Sequence, residues 1–134
     1  MKLAIMQPYF FPYIGYFQLI AAVDLFIVYD NIKYTKKGWI NRNRMLQNGK
    51  DVMFSLPLKN DSDNLNVCER ELSKDFNRDK LLNQFKAVYQ PAPYFSQTFP
   101  LVEAVVRYPD ANLFRFLHHA LVKTRNHLGI ATEI

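Results

Sequence analysis

The sequence predicts an α/β protein with a Rossmann-like parallel sheet of about three to five strands, surrounded by helices, and a mostly helical carboxyl-terminal half. Two short apolar segments, residues 2–6 and 24–29, have the composition of strands, and the second is apolar enough to be buried on both faces. Residues 15–22, between them, have the spacing of an amphipathic helix. A strand, a helix and a second strand in this order predict a right-handed crossover and a parallel strand pair.

The middle of the chain has weaker periodicity. Residues 51–58 alternate apolar with other side chains, which predicts a third strand. Residues 39–45 fit either a helix or irregular structure, and the pattern does not decide between them. Only a weak strand is predicted around residues 66–72.

Three segments of helical spacing follow. The first begins behind Asp75 or Asn77 as its cap and ends at residues 91–93, where two prolines interrupt the helical spacing. The second is predicted over residues 100–108, with Pro100 in its first turn, where the missing N–H does no harm.

The last helix has the clearest pattern, with Asp110 as its predicted cap and Gly129 in the left-handed position at its end. Residues 130–134 resemble the beginning of another strand. The chain of 134 residues is interpreted as a single α/β domain, or the amino-terminal part of a longer, truncated one. Residues 1–58 are expected to carry the site, and residues 59–134 to be mostly helical.

Compartment is inferred from what the sequence lacks. No apolar run approaches the roughly 20 residues that span a bilayer, and the amino terminus has no signal-peptide pattern. Cys68 is the single cysteine, which excludes an internal disulfide and suits a reducing compartment. A cytoplasmic protein is therefore expected.

The positive charge is local. The formal net charge is +5, and residues 31–50 contain six bases and no acid: Lys33, Lys36, Lys37, Arg42, Arg44 and Lys50. Such a segment suits a phosphate or nucleotide ligand, although a solvated basic loop has the same composition. Nucleic acid is a less favoured partner because no helix carries a basic stripe.

The turn after the first strand is the first candidate site. In open α/β sheets, ligands bind at the carboxyl ends of the strands, and Gly15 would let the backbone approach a phosphate at the helix amino terminus. The spacing also resembles the His-x-Gly-His turn of the nucleotidylyltransferase and pantothenate-synthetase superfamily, with Tyr13 and Tyr16 in place of the histidines. The alternative is that these aromatic residues only pack the first helix.

The second candidate site follows the second apolar strand. Asp30, at the end of that strand, could orient a hydroxyl or amine, hold a metal or act as a base. The triplet Asn41, Arg42 and Asn43 places a guanidinium between two amides, which suits a phosphate or carboxylate, and Trp39 offers a stacking face. The alternative is that the arginines only pair with surface acids.

Three stretches together resemble the WbqC-like family of bacteria: MQPYFFPYIGYFQLI, DLFIVYD and KKGWINRN. The resemblance is dense over residues 5–46, and family members usually run longer than this chain. It implies acyl or aminoacyl transfer to an amino sugar or related precursor, since members are often encoded among surface-polysaccharide and O-antigen genes. It also implies that the family's motif positions are Gln7, Tyr9, Tyr13, Gly15, Tyr16, Asp30, Trp39, Asn41 and Arg42.

The leading hypothesis is therefore an enzyme that acts on a nucleotide, a nucleotide-sugar or another phosphorylated ligand, with ATP or another nucleotide as the cofactor to consider. The expected catalytic residues are Gln7, Tyr13, Tyr16 and Asp30. The expected binding residues are Tyr9, Gly15, Lys33, Lys37, Trp39, Asn41, Arg42 and Asn43. A non-catalytic binding module with a degenerate turn is the alternative, a basic nucleic-acid binder is third, and an unpaired sheet edge predicts a homo-oligomer. No zinc-type spacing is present, because His118, His119 and His127 lie at the wrong intervals.

Overall fold

The computed structural model describes all of residues 1–134 and has four strands and four helices, with one short 3-10 turn at Val67–Glu69. The strands are β1 (Leu3–Met6), β2 (Leu25–Val28), β3 (Arg42–Gln47) and β4 (Lys50–Ser55). The helices are α1 (Ile14–Ala21), α2 (Arg78–Tyr89), α3 (Phe95–Val106) and α4 (Leu113–His127).

The parallel pair predicted from the first thirty residues is confirmed. Strand β1 pairs with β2 in parallel, with Leu3 opposite Leu25 and Met6 opposite Val28. The last residues of the chain add a single bridge on the far side of β2, where the Phe26 N–H donates to the Glu133 carbonyl at 2.9 Å. The parallel sheet is therefore smaller than the predicted three to five strands.

The third strand exists, but it belongs to a second sheet. Strand β4 pairs antiparallel with β3, which occupies the segment that the sequence left undecided. The two strands are joined at Asn48 and Gly49, which have φ values of 52° and 79°. This Asn-Gly pair forms a two-residue hairpin turn, which requires positive φ values at both positions. It pairs β4 with β3, and these two strands form a sheet separate from the parallel pair.

The expectation that β2 is buried on both faces is wrong. Phe26 is fully buried and packs with Tyr16, Phe17, Ile20 and Leu121, which come from α1 and α4. On the opposite face, Ile27 is 40% exposed. Helices cover one side of this small sheet only, so each strand is buried at alternate residues.

Helix α2 begins as expected, since the side chain of Asn77 accepts a hydrogen bond from the Lys80 N–H at 3.0 Å. Helix α3 begins at Phe95, earlier than predicted, so Pro100 lies inside it and not in the first turn. The Phe95 and Phe99 rings stack one turn apart at 4.9 Å, and this packing favours helix in the residues before the proline.

Asp110 is not the cap of α4. Asn112 takes that position and accepts from the Arg115 N–H, whereas Asp110 accepts from the Asn112 N–H and pairs with the Arg115 guanidinium at 2.6 Å. Gly129 has a φ of 71°, which confirms the predicted left-handed end of the helix. Around residues 66–72 there is a 3-10 turn with isolated bridges, not a strand.

The larger core lies between the β3–β4 hairpin and the three carboxyl-terminal helices. Phe10 reaches it from the loop after β1 and is fully buried there, against Phe54 and Phe116. This insertion ties the amino-terminal motif to the helical half. None of the helices combines the length and apolar character needed to cross a membrane.

Candidate functional site

The carboxyl ends of β1 and β2 lie side by side, because the Tyr29 N–H donates to the Met6 carbonyl at 3.1 Å. Gln7 directly follows β1, and Asp30 lies two residues after the end of β2. Asp30 is exposed, and its backbone carbonyl accepts from the Cys68 N–H. The side-chain oxygen of Gln7 accepts from the Tyr9 hydroxyl at 3.2 Å, so this end of the sheet presents one amide and one carboxylate.

The two tyrosines of the turn point in different directions. Tyr13 is 75% exposed, whereas Tyr16 is 2% exposed and donates its hydroxyl to the Gln7 carbonyl at 2.8 Å. Burial, and then the proximity of Tyr9, raise the pKa of Tyr16 well above its ordinary value. The Tyr16 hydroxyl therefore holds the loop, and Tyr13 is the tyrosine of this pair that faces solvent.

Gly15, which has no side chain, leaves space for the ring of Tyr13 in the same turn. A Cβ atom at this position would lie 2.3 Å from Cε2 of Tyr13, which is far inside van der Waals contact. The Tyr13 ring thus rests on the Gly15 backbone, where the sequence suggested a ligand phosphate. An alanine here would displace the Tyr13 ring.

The structure joins the two candidate segments of the sequence. The Phe10 N–H donates to the Trp39 carbonyl at 3.3 Å, and Nδ2 of Asn43 donates to the carbonyls of Phe10 and Phe11 at 3.3 and 2.8 Å. Phe11 has a φ of 45°, a left-handed conformation that disfavours a bulky residue by roughly 1–2 kcal/mol. The hydrogen bonds from the Asn43 side chain hold this strained backbone in place.

The amides of the Asn41, Arg42 and Asn43 triplet bind the protein itself. Asn41 is 8% exposed; its Oδ1 accepts from the Tyr34 hydroxyl at 2.8 Å and its Nδ2 donates to the Leu56 carbonyl at 2.9 Å. Nε of Arg42 donates to the Gly38 carbonyl at 3.0 Å, and its terminal nitrogens have no hydrogen bond within the chain. Of the triplet, Arg42 therefore keeps donors for a ligand.

Several cations surround these segments. Lys33 and Lys37 are exposed and form no ion pair, whereas Lys36 pairs with Asp63 at 3.5 Å. The Arg44 guanidinium lies 5.6 Å from the centre of the Trp39 ring and pairs with Asp51 at 3.2 Å. The expectation of pairing with surface acids thus describes Arg44 and not Arg42.

A cleft of about 500 Å³ opens beside this loop, and we call it the aromatic cleft. Its walls come from the loop after β1, the β3–β4 hairpin, α2 and α3. Most of its lining is apolar, and the residues are Phe11, Tyr13, Asn43, Arg44, Phe54, Phe85, Tyr89, Ala92, Pro93, Tyr94, Phe95, Thr98, Phe99 and Val102. Of the expected site residues, Tyr13 and Asn43 line it and the others do not.

Sequence reasoning missed most of this lining. Arg44 was counted among the bases without being singled out, and no aromatic residue of α2 or α3 was among the expected site residues. A signal was nonetheless present, because Tyr89 precedes the Pro-Ala-Pro segment and Tyr94, Phe95 and Phe99 follow it. Aromatic residues on both sides of a turn between two helices can line a groove as well as fill a core.

Comparison with known proteins places the chain in a family. The WbqC-like protein family model matches residues 7–134. An uncharacterized protein of Mycobacterium tuberculosis, Rv1507c, is 57% identical over 44 residues, which cover 33% of this chain and 19% of that protein. No solved structure matches the chain. Because the family model covers nearly all of its residues, the chain belongs to the WbqC-like protein family.

Proposed function

We propose that this WbqC-like protein binds a nucleotide, a nucleotide-sugar or another phosphorylated ligand, and that it serves acyl or aminoacyl transfer to an amino sugar in surface-polysaccharide biosynthesis. The observation that carries the proposal is the position of Arg44, at the aromatic cleft and 5.6 Å from the ring of Trp39. A cation beside a stacking surface is the combination that a phosphate linked to a ring requires.

The Arg44 guanidinium is available to a phosphate. Its pairing with Asp51 is between two exposed side chains, and exposed ion pairs contribute little to stability. A phosphate offers the guanidinium two parallel hydrogen bonds and a larger charge than a carboxylate, so it competes well. Lys33 and Lys37, which are exposed and have no acidic partner, add to the positive charge of the segment that contains Trp39 and Arg44.

Trp39 gives the ring of the ligand a place to bind. It is 41% exposed, so part of its indole is open to solvent, and its backbone carbonyl is fixed by the Phe10 N–H. A nucleobase or a sugar ring stacked there would keep its polar edge in water. The phosphate and the ring would then be recognised by neighbouring groups.

In the chemical step the acceptor amine forms an amide bond to the acyl carbon, the bond between the acyl group and its carrier breaks, and the carrier leaves with the electron pair. A base takes the proton of the amine and can return it to the departing carrier. In this proposal Asp30 is that base, because its carboxylate is exposed beyond β2. The side-chain amide of Gln7, at the end of the adjacent strand, orients the acceptor. Tyr16 acts through Gln7, whose carbonyl it binds, and Tyr13 lies at the cleft itself.

One observation favours the alternative, a binding module without catalysis. The turn has no histidine, and of its two tyrosines Tyr13 is exposed and Tyr16 is buried, so the two hydroxyls cannot both contact a phosphate. Asp30→Asn separates the two functions. An enzyme would lose turnover and keep ligand affinity, whereas a binding module would show no turnover before or after the change.

A thermal-shift screen with matched arginine variants tests the proposal. UDP, UDP-N-acetylglucosamine and sugar 1-phosphates are the probes, and a ligand at 100 times its Kd stabilises the protein by about 2.7 kcal/mol. Arg44→Gln should weaken binding by about 1.5–3 kcal/mol, the range for a hydrogen bond to a charged group. Arg107→Gln is the control, because Arg107 is equally exposed, pairs with Asp79 at 2.7 Å and lies outside the cleft.

Three results would contradict the proposal. The first is that none of the probes stabilises the protein at millimolar concentration. The second is that the Arg44→Gln and Arg107→Gln proteins bind the probe equally well. The third is that binding of the probe weakens steeply with salt, as it does for a nucleic-acid partner.

A further inference from the structure

We infer that the aromatic cleft binds the apolar acyl chain of an anionic amphiphile, with the anionic head group at Arg44. This rests on the proposed function in one respect, since an acyl donor is the substrate that such a cleft would serve. The inference concerns a second ligand, whose chain lies in the cleft, whereas the ring of the phosphorylated acceptor is proposed to stack on Trp39, outside the cleft lining. The two anionic groups would share the five N–H donors of the Arg44 guanidinium.

The floor of the cleft cannot satisfy a polar ligand. Phe54 and Phe85 are buried there, and Phe99 and Val102 complete it from α3. None of these side chains offers a hydrogen-bond donor or acceptor. A nucleobase or a sugar on this floor would lose its water without gaining partners, which is unfavourable for every polar atom buried. The matching occupant of the floor is hydrocarbon.

The mouth of the cleft has the opposite character. Tyr13 and Tyr94 are well exposed, Tyr89 is partly so, and the hydroxyls of all three have no hydrogen bond within the chain. Arg44 adds a positive charge at this level. The cleft is therefore apolar inside and cationic at its mouth, which is complementary to a chain that ends in a phosphate or a carboxylate.

The cleft is also braced against collapse. The Phe54 and Phe85 rings meet edge to face at 4.8 Å, and Phe11 meets Phe85 in the same way at 5.7 Å. Phe11 in turn is held by the hydrogen bond from Asn43 to its carbonyl. Rings fixed by their neighbours keep the space open in the free protein, so binding does not have to order the walls.

Alkyl phosphates of increasing length test the inference. Butyl, hexyl and octyl phosphate, below their micellar concentrations, are titrated calorimetrically and by the fluorescence of Trp39, the single tryptophan. Affinity should rise about threefold to fourfold per methylene until the floor is filled, with a negative heat-capacity change. Octanoate against octyl phosphate distinguishes a carboxylate head from a phosphate head, and either one binding with this dependence supports the site.

Two variants localise the binding. Arg44→Gln removes the head-group partner from an exposed position and should weaken octyl phosphate about tenfold or more. Thr98→Phe fills the cleft from α3 and should abolish the chain-length dependence. Gln97→Phe, exposed on the same helix and outside the cleft, is its control and should bind as the unmodified protein does.

The inference is overturned if the affinity for alkyl phosphates is independent of chain length. It is also overturned if both the Arg44→Gln protein and a folded Thr98→Phe protein bind octyl phosphate as tightly as the unmodified protein does. Its failure is distinguishable from failure of the proposed function. UDP-N-acetylglucosamine binding without chain-length dependence removes the acyl site alone. Chain-length dependence without binding of any nucleotide or sugar phosphate removes the proposed acceptor and leaves the acyl site.

Discussion

Asn43 connects the strained loop to the cleft, and both the nitrogen and the oxygen of its side-chain amide form hydrogen bonds within the chain. Nδ2 binds the carbonyls of Phe10 and Phe11, and Oδ1 accepts from the Arg44 N–H at 2.8 Å. Asn43→Ala leaves these groups without their partner, so we expect a loss of about 1–3 kcal/mol in the free energy of unfolding. Urea titration followed by circular dichroism measures it.

The matched control is Asn126→Ala, because Asn126 is exposed on α4 and far along the chain from this loop. Equal stability of the two variants would mean that Asn43 does not hold the loop. Loss of ligand binding in a folded Asn43→Ala protein would additionally tie the loop conformation to the site.

Replacing Tyr16 tests whether its hydroxyl is a buried structural group or a group that reacts with a ligand. Tyr16→Phe keeps the ring and removes the hydrogen bond to the Gln7 carbonyl, which should reduce stability by about 0.5–1.5 kcal/mol. Burial raises the pKa of Tyr16, so above pH 10 the unfolded chain ionises and the folded one does not. Stability should therefore fall more steeply above pH 10 in the unmodified protein than in Tyr16→Phe. An identical slope would contradict the buried assignment.

At the residue scale, the sequence singled out polar residues but did not indicate which groups they bind. Polarity alone does not say whether an amide faces a ligand or a carbonyl of the same chain. Asn41 lies just before β3 and Asn43 lies within it, and their partners, Leu56 and Phe10, are distant in sequence. The position of Arg44 at the cleft could not be predicted for the same reason, because it depends on how α2 and α3 pack against the hairpin.

Helix α4 carries a titratable group that makes stability depend on pH. The His119 ring stacks on Tyr108 at 3.8 Å, and its Nδ1 is buried without a partner. Burial, followed by the charges of Lys123 and His118, lowers the pKa of His119 below its ordinary 6.5. The unfolded chain therefore binds a proton at a higher pH than the folded one, and stability should fall as the pH drops below 6.5.

The variant His119→Phe preserves a stacked ring and removes the titration. Its free energy of unfolding should depend less on pH between 6.5 and 5 than that of the unmodified protein, when both are measured by urea titration. His127→Phe, at the exposed end of the same helix, is the control. A His119→Phe protein with an unchanged pH dependence would show that this imidazole is not the titrating group.

At the element scale, helices with local caps were predictable and the hairpin was not. Asn77 and Gly129 act within one turn of their own helix, so sequence spacing was sufficient. Strand β3 begins with Arg42, Asn43 and Arg44, of which Asn43 binds the loop after β1. These polar residues remove the apolar alternation that identifies a strand. The Asn48-Gly49 turn was the local signal that could have revealed it.

The whole molecule has an uncovered apolar sheet face. Leu3, Ile5 and Ile27 are all more than a third exposed on the side of β1 and β2 that no helix covers. Exposed apolar sheet surface promotes association, so we predict a dimer or a larger species in solution. Light scattering should show that Ile5→Glu lowers the molecular mass to that of a monomer. A monomeric unmodified protein at high concentration would contradict the prediction.

At this scale, the sequence could not predict which surfaces would meet. The parallel pair arises from residues close in sequence, whereas the aromatic cleft requires Phe11, Phe54 and Phe99 to converge from three distant segments. The size of the parallel sheet was overestimated for a related reason. A third strand was recognised, and its pairing partner depended on the turn at Gly49.

The position of the ligand at Trp39 and Arg44 is the central claim, and nuclear magnetic resonance tests it most directly. The chain has one tryptophan, so the indole N–H of Trp39 gives a single signal in a nitrogen-15 correlation spectrum. The ligand that stabilises the protein most in the thermal screen is titrated into the labelled protein. The largest shifts should fall on the Trp39 indole and the amides of Arg44 and Tyr13. A bound ligand that leaves these signals unmoved and shifts those of α4 or the outer face of β1 would contradict the claim.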